Sequence, residues 1–201
     1  MYYTEDELKE LSLKSFGTNV LLSKKTSLYN PSNIEIGSNV RIDDFCVLSA
    51  GVGGISIGSH VHIACYCLLI GAEKIVMKDF SGLSSRVSIY SSTDNYSGDC
   101  LTNPTTPVEY RNVISKPVTL EKHVIIGASS VILPGVTLHE GIAAGANCLI
   151  TKSFKPFSIL FGSPAKVIKQ RSQKLLELEK DFLKYTKKCI YIIVPFLVYI
   201  L

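Results

Sequence analysis

Few side chains in this 201-residue chain have chemistry to offer, and they are unevenly placed. A polar stretch beginning at Tyr90, YSSTDNYSGDCLTNPTTPVEYRN, gathers Ser91, Ser92, Thr93, Asn95 and Ser97 beside Tyr96 and Tyr110. Hydroxyls and amides at that density suit hydrogen bonding to a sugar, and tyrosine rings stack on a base or a sugar face. His60, His62, His123 and His139 supply groups that titrate near neutrality. The six cysteines contain no C-x-x-C pair, and Cys65-Tyr66-Cys67 is not a zinc spacing, so no metal is expected. Reduced thiols and a cytoplasmic setting are expected, because the opening MYYTEDELKE is acidic and polar and does not read as a signal peptide. The formal charge of +4 comes from 21 basic and 17 acidic residues, and residues 165–188 hold eight of the basic ones against three acids. The remainder is near neutral, which argues against nucleic-acid binding.

What positions these residues is a repeat. Large apolar residues recur every six positions as Phe16, Leu22, Leu28, then Ile36, Ile42, Leu48, then Ile57, Ile63, Leu69. The series continues through Met77, Leu83, Ile89, then Leu120, Ile126, Ile132, and ends at Leu138, Ala144, Ile150. Small or β-branched residues often follow four positions later, as at Val20, Val40, Val61, Val87, Val124 and Val136. A period of six fits neither an α-helix nor a long alternating strand. It fits short strands joined by tight corners, three to a turn, which is a parallel β-helix.

Extra residues intrude only at 34–35, 54–56, 75–76 and 95–119, always after the third member of a group. The pattern therefore predicts an all-β repeat of about six triangular coils over residues 16–169, with every insertion leaving one corner. In this register Cys46, Cys67 and Cys148 point inward as small core fillers, while Cys65 points outward and can line a cleft. His62 also points outward, on the coil below the loop, where it can face a cleft formed with a neighbouring subunit. His60, His123 and His139 fall at corners. The walls of such a coil are flat, so the loop over residues 92–118 is expected to close over an active site, or else to clasp subunits together.

Residues 1–15 read as a capping helix opened by the box Thr4-Glu5-Asp6-Glu7. Residues 170–201 read as a helix over 172–188, with Leu175, Leu178, Phe182 and Tyr185 on one stripe, followed by the uncharged tail CIYIIVPFLVYIL. That tail is too short to span a membrane, but after a basic helix it can make weak contact with an anionic membrane surface. Burial in an oligomer is the alternative.

The stretch IIGASSVILPGVTLHEGIAAGANCLITKSFKPFSILFGSPAKVIK, residues 125–169, resembles the left-handed β-helix, hexapeptide-repeat acyltransferases of the galactoside and sugar-antigen branch. GSPAKVIKQR matches the terminus of that family, and SSRVSIYSSTDNYSGDCLTNP looks most like the bacterial enzymes that acetylate dTDP-4-amino-4,6-dideoxyglucose. The resemblance implies a homotrimer working in surface-polysaccharide (O-antigen) synthesis, with acetyl-CoA in the groove between adjacent β-helices. By position, Gly127, Ala128, Gly145, Ala146 and Thr151 would line that groove. Lys152, Lys166 and Lys169 would stand near the nucleotide end, where ammonium groups suit phosphates. Cys65, Arg86, Tyr90, Ser92, Tyr96 and Tyr110 would hold the nucleotide sugar. Pro164 is expected to shape the chain reversal.

The match also departs from the galactoside branch, whose catalytic histidine aligns with Asp94. A family asparagine that holds the acceptor falls at Cys65. A sugar hydroxyl needs a well-placed imidazole before it can attack a thioester. An amine with a pKa near ~8 is already about a tenth neutral at pH 7 and needs only a modest base. Asp94 suits that lesser role, with His62 as the competing base, so the expected reaction is N-acetylation. Acetylation of a sugar hydroxyl and a trimeric scaffold without catalysis are the alternatives.

Overall fold

The computed structural model describes the backbone of residues 1–197 and the side chains as far as Thr186. Contacts divide the chain into two units, Met1–Arg171 and Ser172–Leu201.

In the first unit each hexad is a strand of two to four residues followed by a corner, and the strands stack into three parallel walls. The first wall runs from Ser15–Phe16 through Ile34–Ile36, Ile55–Ile57, Ile75–Met77 and Val118–Leu120 to Thr137–Leu138. The second includes Val40–Ile42, His62–Ile63, Gly82–Leu83, Ile125–Ile126 and Ala143–Ala144. The third runs from Ser27–Tyr29 to Leu149–Ile150 and contains Ser88–Tyr90. Register is in step, so like stacks on like: Ile57 on Met77 on Leu120, Ile63 on Leu83 on Ile126, Leu69 on Ile89 on Ile132. The hexad residues named above are buried except Phe16 and Leu28, which pack against the core from the first coil.

Two kinds of corner join the walls, and both bring non-glycine residues to a positive φ. Asn19, Asn39, His60, Phe80 and His123 hold φ between 55 and 61° at the corner from first to second wall. Phe45, Tyr66, Arg86, Ser129 and Asn147 hold 56 to 62° at the next. Such geometry disfavours L-residues, and stacking between coils offsets the cost. His60, Phe80 and His123 form a ring column with centroids 4.8 and 5.2 Å apart, and Phe45 stacks on Tyr66 at 5.0 Å. All chain insertions leave the remaining corner, between third and first walls.

The coil count is larger than the expected six. After Ile150 the chain makes a seventh, partial turn, with Phe154 bridged to Leu138 and Ser158–Phe161 added to the second wall. The hexad count missed it because Phe154 comes four residues after Ile150 rather than six, and the period resumes only at Leu160. The chain then reverses through Gly162-Ser163-Pro164, with a cis Ser163–Pro164 bond, and Lys166–Gln170 returns antiparallel to Ser158–Phe161. Arg171 Nη1 donates to the carbonyls of His123 (2.8 Å) and Gly141 (3.0 Å), tying down the end of this hairpin.

At the other end, α1 (Glu5–Glu10) carries the expected capping box: Glu7 N–H donates to Thr4 Oγ1 and Thr4 N–H to Glu7 Oε2. Leu8 is buried against the first coil with Tyr3, Leu11 and Leu13. In the second unit α2 spans Leu175–Leu197, starting later than the expected residue 172 and running past 188 through Pro195. Leu178, Phe182 and Tyr185 are exposed. Among the described residues no helix is long and apolar enough to cross a membrane. The tail expected to touch a membrane surface, 189–201, lies outside the residues whose side chains are described.

Candidate active site

The outward side chains of the second wall form two columns. Pairing places Arg41, His62, Gly82, Ile125, Ala143 and Ile159 in the first. Two residues further on in each coil come Asp43, Ala64, Ser84, Gly127, Gly145 and Phe161. Small residues in the second column and one glycine in the first open a cleft of about 350 Å³ lined by His62, Ala64, Gly82, Leu83, Ser84, Ser85 and Ile125. Cys65 lies at its rim, half-buried, with its sulfur 3.4 Å from Ser85 Oγ.

His62 Nε2 lies 2.8 Å from Asp43 Oδ2. Asp43 also accepts from Arg41 Nε at 2.7 Å and from the Tyr2 hydroxyl at 3.1 Å. Desolvation favours the neutral acid, but the bonds from His62, Arg41 and Tyr2 outweigh it and hold the Asp43 carboxyl below its ordinary range. An ionised carboxylate only accepts, so the bond between them is donated by His62 Nε2–H. That is the arrangement of a base held by an orienting carboxylate.

Three further features surround the two columns. Gly127 and Gly145 lack side chains for reasons internal to the chain: a Cβ on Gly127 would meet the Gly145 carbonyl carbon at 2.4 Å, and one on Gly145 the Phe161 ring at 2.4 Å. Ala128 is half-buried, and Ala146 and Thr151 are exposed. Beyond them a cavity of about 540 Å³ is lined by Lys152, Lys155 and Lys166 together with Ser158, whose buried Oγ has no hydrogen-bond partner. Lys169, also exposed, is not part of that lining.

The loop is anchored by a short antiparallel pair, Ser92–Thr93 with Ile114–Ser115, and by a bridge between Leu101 and Arg111. Asp94 follows that pair and accepts a 3.4 Å bond from Asn103 N–H. Tyr110, Arg111, Asn95 and Glu109 help to line a cavity of about 620 Å³ inside the loop. Tyr96 is exposed and is not part of that lining, Ser92 Oγ at the loop root accepts a bond from Ala72 N–H, and Tyr90 is half-buried. Arg86 is exposed at its corner.

The loop therefore leaves the corner between third and first walls, while the cleft occupies the second wall, which faces the opposite side of the triangle. Asp94 and His62 belong to different sides of one chain.

No protein-family profile matches the chain. It is 52% identical over 181 residues to a dTDP-4-amino-4,6-dideoxy-D-glucose acyltransferase of Escherichia coli, covering 90% of this chain and 94% of that one. It is also similar to AntD, an N-acyltransferase of Bacillus cereus, a serine-to-alanine mutant of which was solved with dTDP-4-amino-4,6-dideoxyglucose and coenzyme A. There the TM-score is 0.89 and the identity 48%, over 92% of this chain and 98% of AntD. A further AntD structure holds dTDP and 3-hydroxybutyryl-CoA (TM-score 0.88, identity 47%). The chain belongs to the dTDP-4-amino-4,6-dideoxyglucose acyltransferase family.

In this acyltransferase the sequence reading missed three residues that shape the cleft or groove. Asp43 is 19 positions from the histidine it holds. Ser84, in the cleft, and Phe161, packed over Gly145, were likewise passed over. Coil-to-coil register was the available signal: each lies two positions after a first-column residue in its own coil.

Proposed function

We propose that this chain transfers an acyl group from acyl-CoA to the 4-amino group of dTDP-4-amino-4,6-dideoxyglucose, with acetyl-CoA the donor expected from sequence. The observation that carries the reading is 52% identity to the E. coli acyltransferase across 90% of the chain. The family setting also favours a cytoplasmic enzyme of surface-polysaccharide synthesis.

The coenzyme would lie along the second-wall groove. Its phosphates would meet Lys152 and Lys166 at the cavity that also holds the unpartnered Ser158 hydroxyl, with Lys169 nearby on the returning strand. Ammonium groups provide point charges and several donors for phosphate oxygens. The pantetheine would pass Ala146, Gly145, Ala128 and Gly127 with Thr151 at its flank, bringing the thioester to the Ser84 rung. The nucleotide sugar would bind the loop, using Tyr96, Tyr110, Ser92, Tyr90 and Arg86, with Cys65 at the cleft rim.

The neutral amine attacks the thioester carbonyl carbon, the C–S bond of the tetrahedral intermediate breaks, and the departing thiolate is protonated by the single proton the nitrogen sheds, relayed through Asp94. Asp94 orients the amine and takes the proton the nitrogen sheds, while His62, polarised by Asp43, is the second base within the cleft. Because the loop and the cleft lie on opposite sides of one chain, the site is complete only when a second copy brings its loop to the cleft, which favours the homotrimer.

The deciding experiment follows thiol release from acetyl-CoA with dTDP-4-amino-4,6-dideoxyglucose against simple galactosides. Turnover confined to the amino sugar is expected. Preference for a galactoside hydroxyl, or no turnover together with no rise in melting temperature on adding acetyl-CoA, overturns the reading.

A further inference from the structure

Gly82 is a glycine the fold does not require. It sits inside a strand, between His62 and Ile125 on neighbouring rungs. Its φ is not among the positive ones, and a Cβ placed on it would meet only the His62 carbonyl oxygen, at 3.5 Å, an ordinary contact. Gly127 and Gly145, by contrast, are held to glycine by their own neighbours. Glycine in a strand interior costs backbone entropy and packs nothing, and it marks places where a ligand approaches closely.

Its absent side chain leaves a notch in an otherwise continuous column. The floor is Gly82 backbone, with Ala64 and Leu83 beside it. His62 and Ile125 form the two ends, about 10 Å apart at two strand spacings. Ser84 and Ser85 border one flank with hydroxyls. The opening is apolar along its length and polar on one side, and it is larger than an acetyl methyl requires.

This inference rests on the proposed function, in which the thioester reaches the Ser84 rung from the lysine-lined end. An acyl chain continuing along that line runs over Gly82 towards His62. We infer that Gly82 sets the acyl specificity: the notch above it receives the acyl carbons beyond the carbonyl and admits a four-carbon chain, with Ser84 and Ser85 placed to bond a hydroxyl on it. The donor class is thereby short-chain acyl-CoA, including 3-hydroxyacyl-CoA, and not acetyl-CoA alone.

The test compares kcat/KM for acetyl-CoA, butyryl-CoA and 3-hydroxybutyryl-CoA at saturating dTDP-4-amino-4,6-dideoxyglucose, in the native protein and in Gly82→Ala and Gly82→Val. The native protein is expected to use the four-carbon donors at least as well as acetyl-CoA. The ratio of four-carbon to acetyl kcat/KM should fall at least tenfold in Gly82→Val and by a smaller factor in Gly82→Ala. Should Gly82→Val fail to fold by its melting curve, Gly82→Ala decides, since its Cβ meets nothing closer than 3.5 Å. An unchanged ratio in the folded variants, or a native protein that rejects four-carbon donors, overturns the assignment of the notch while leaving the proposed activity standing. No thiol release from any donor overturns that activity and the assignment together.

Discussion

His62 and Asp94, the two proposed bases, stand in a cleft and a loop, and their environments differ. His62 is tied to Asp43, whose carboxyl is kept ionised by three donors. Asp94 accepts one long bond, from Asn103 N–H at 3.4 Å. Asp94→Asn is expected to lower kcat by about 10²–10⁴ with little change in acetyl-CoA affinity, as for loss of a general base. Unchanged turnover would remove Asp94 from the mechanism. Asp43 also leaves a stability signature. Its folded pKa lies below the unfolded value of about 3.9, so its contribution is present above that pH and is lost as pH falls through the folded value. Native protein should therefore exceed Asp43→Asn in melting temperature at pH 7, and the gap should narrow below about pH 4. A gap that stays constant to pH 3 would show that Asp43 acts through packing alone. None of this was legible around His62 in the sequence, because Asp43 belongs to the preceding coil and only the stacking register brings it near.

Among the elements, the coils were the most legible part of the chain, since each inward residue must fill the same triangular core and the period records that demand. Legibility ended where the period did. The seventh coil drops two residues between Ile150 and Phe154, and its hairpin is closed by Arg171, which lies outside any hexad. Arg171 is half-buried, and that burial lowers its pKa from the ordinary value. Arg171→Ala should strand the carbonyls of His123 and Gly141 and cost about 1–3 kcal/mol, measured by denaturant unfolding. A loss near zero would mean that water replaces the guanidinium without penalty. Gly127→Ala belongs to the same scale. Its Cβ would meet backbone of the next coil, which has no rotamer to yield, so about 1–3 kcal/mol of destabilisation is expected from crowding alone.

At the scale of the molecule, topology separates the two proposed bases. The loop root lies between third and first walls and the cleft lies on the second, so Asp94 and the His62 of its own chain stand on different sides of the coil. A cyclic trimer resolves this if each cleft takes its loop from a neighbour. The sequence hinted at such a seam through flat walls and one long corner insertion, but which wall carries the cleft depended on outward side chains that follow no period. Complementation tests the seam directly. His62→Ala and Asp94→Asn are each expected to be nearly inactive alone. Co-refolded in equal amounts, they form trimers in which a cleft is intact only when His62 comes from an Asp94→Asn subunit and Asp94 from a His62→Ala one. Random assembly makes that pairing in about a quarter of seams, so recovery of about a quarter of native kcat is expected. A site contained within one chain would give no recovery at all, because every chain in the mixture carries one defect.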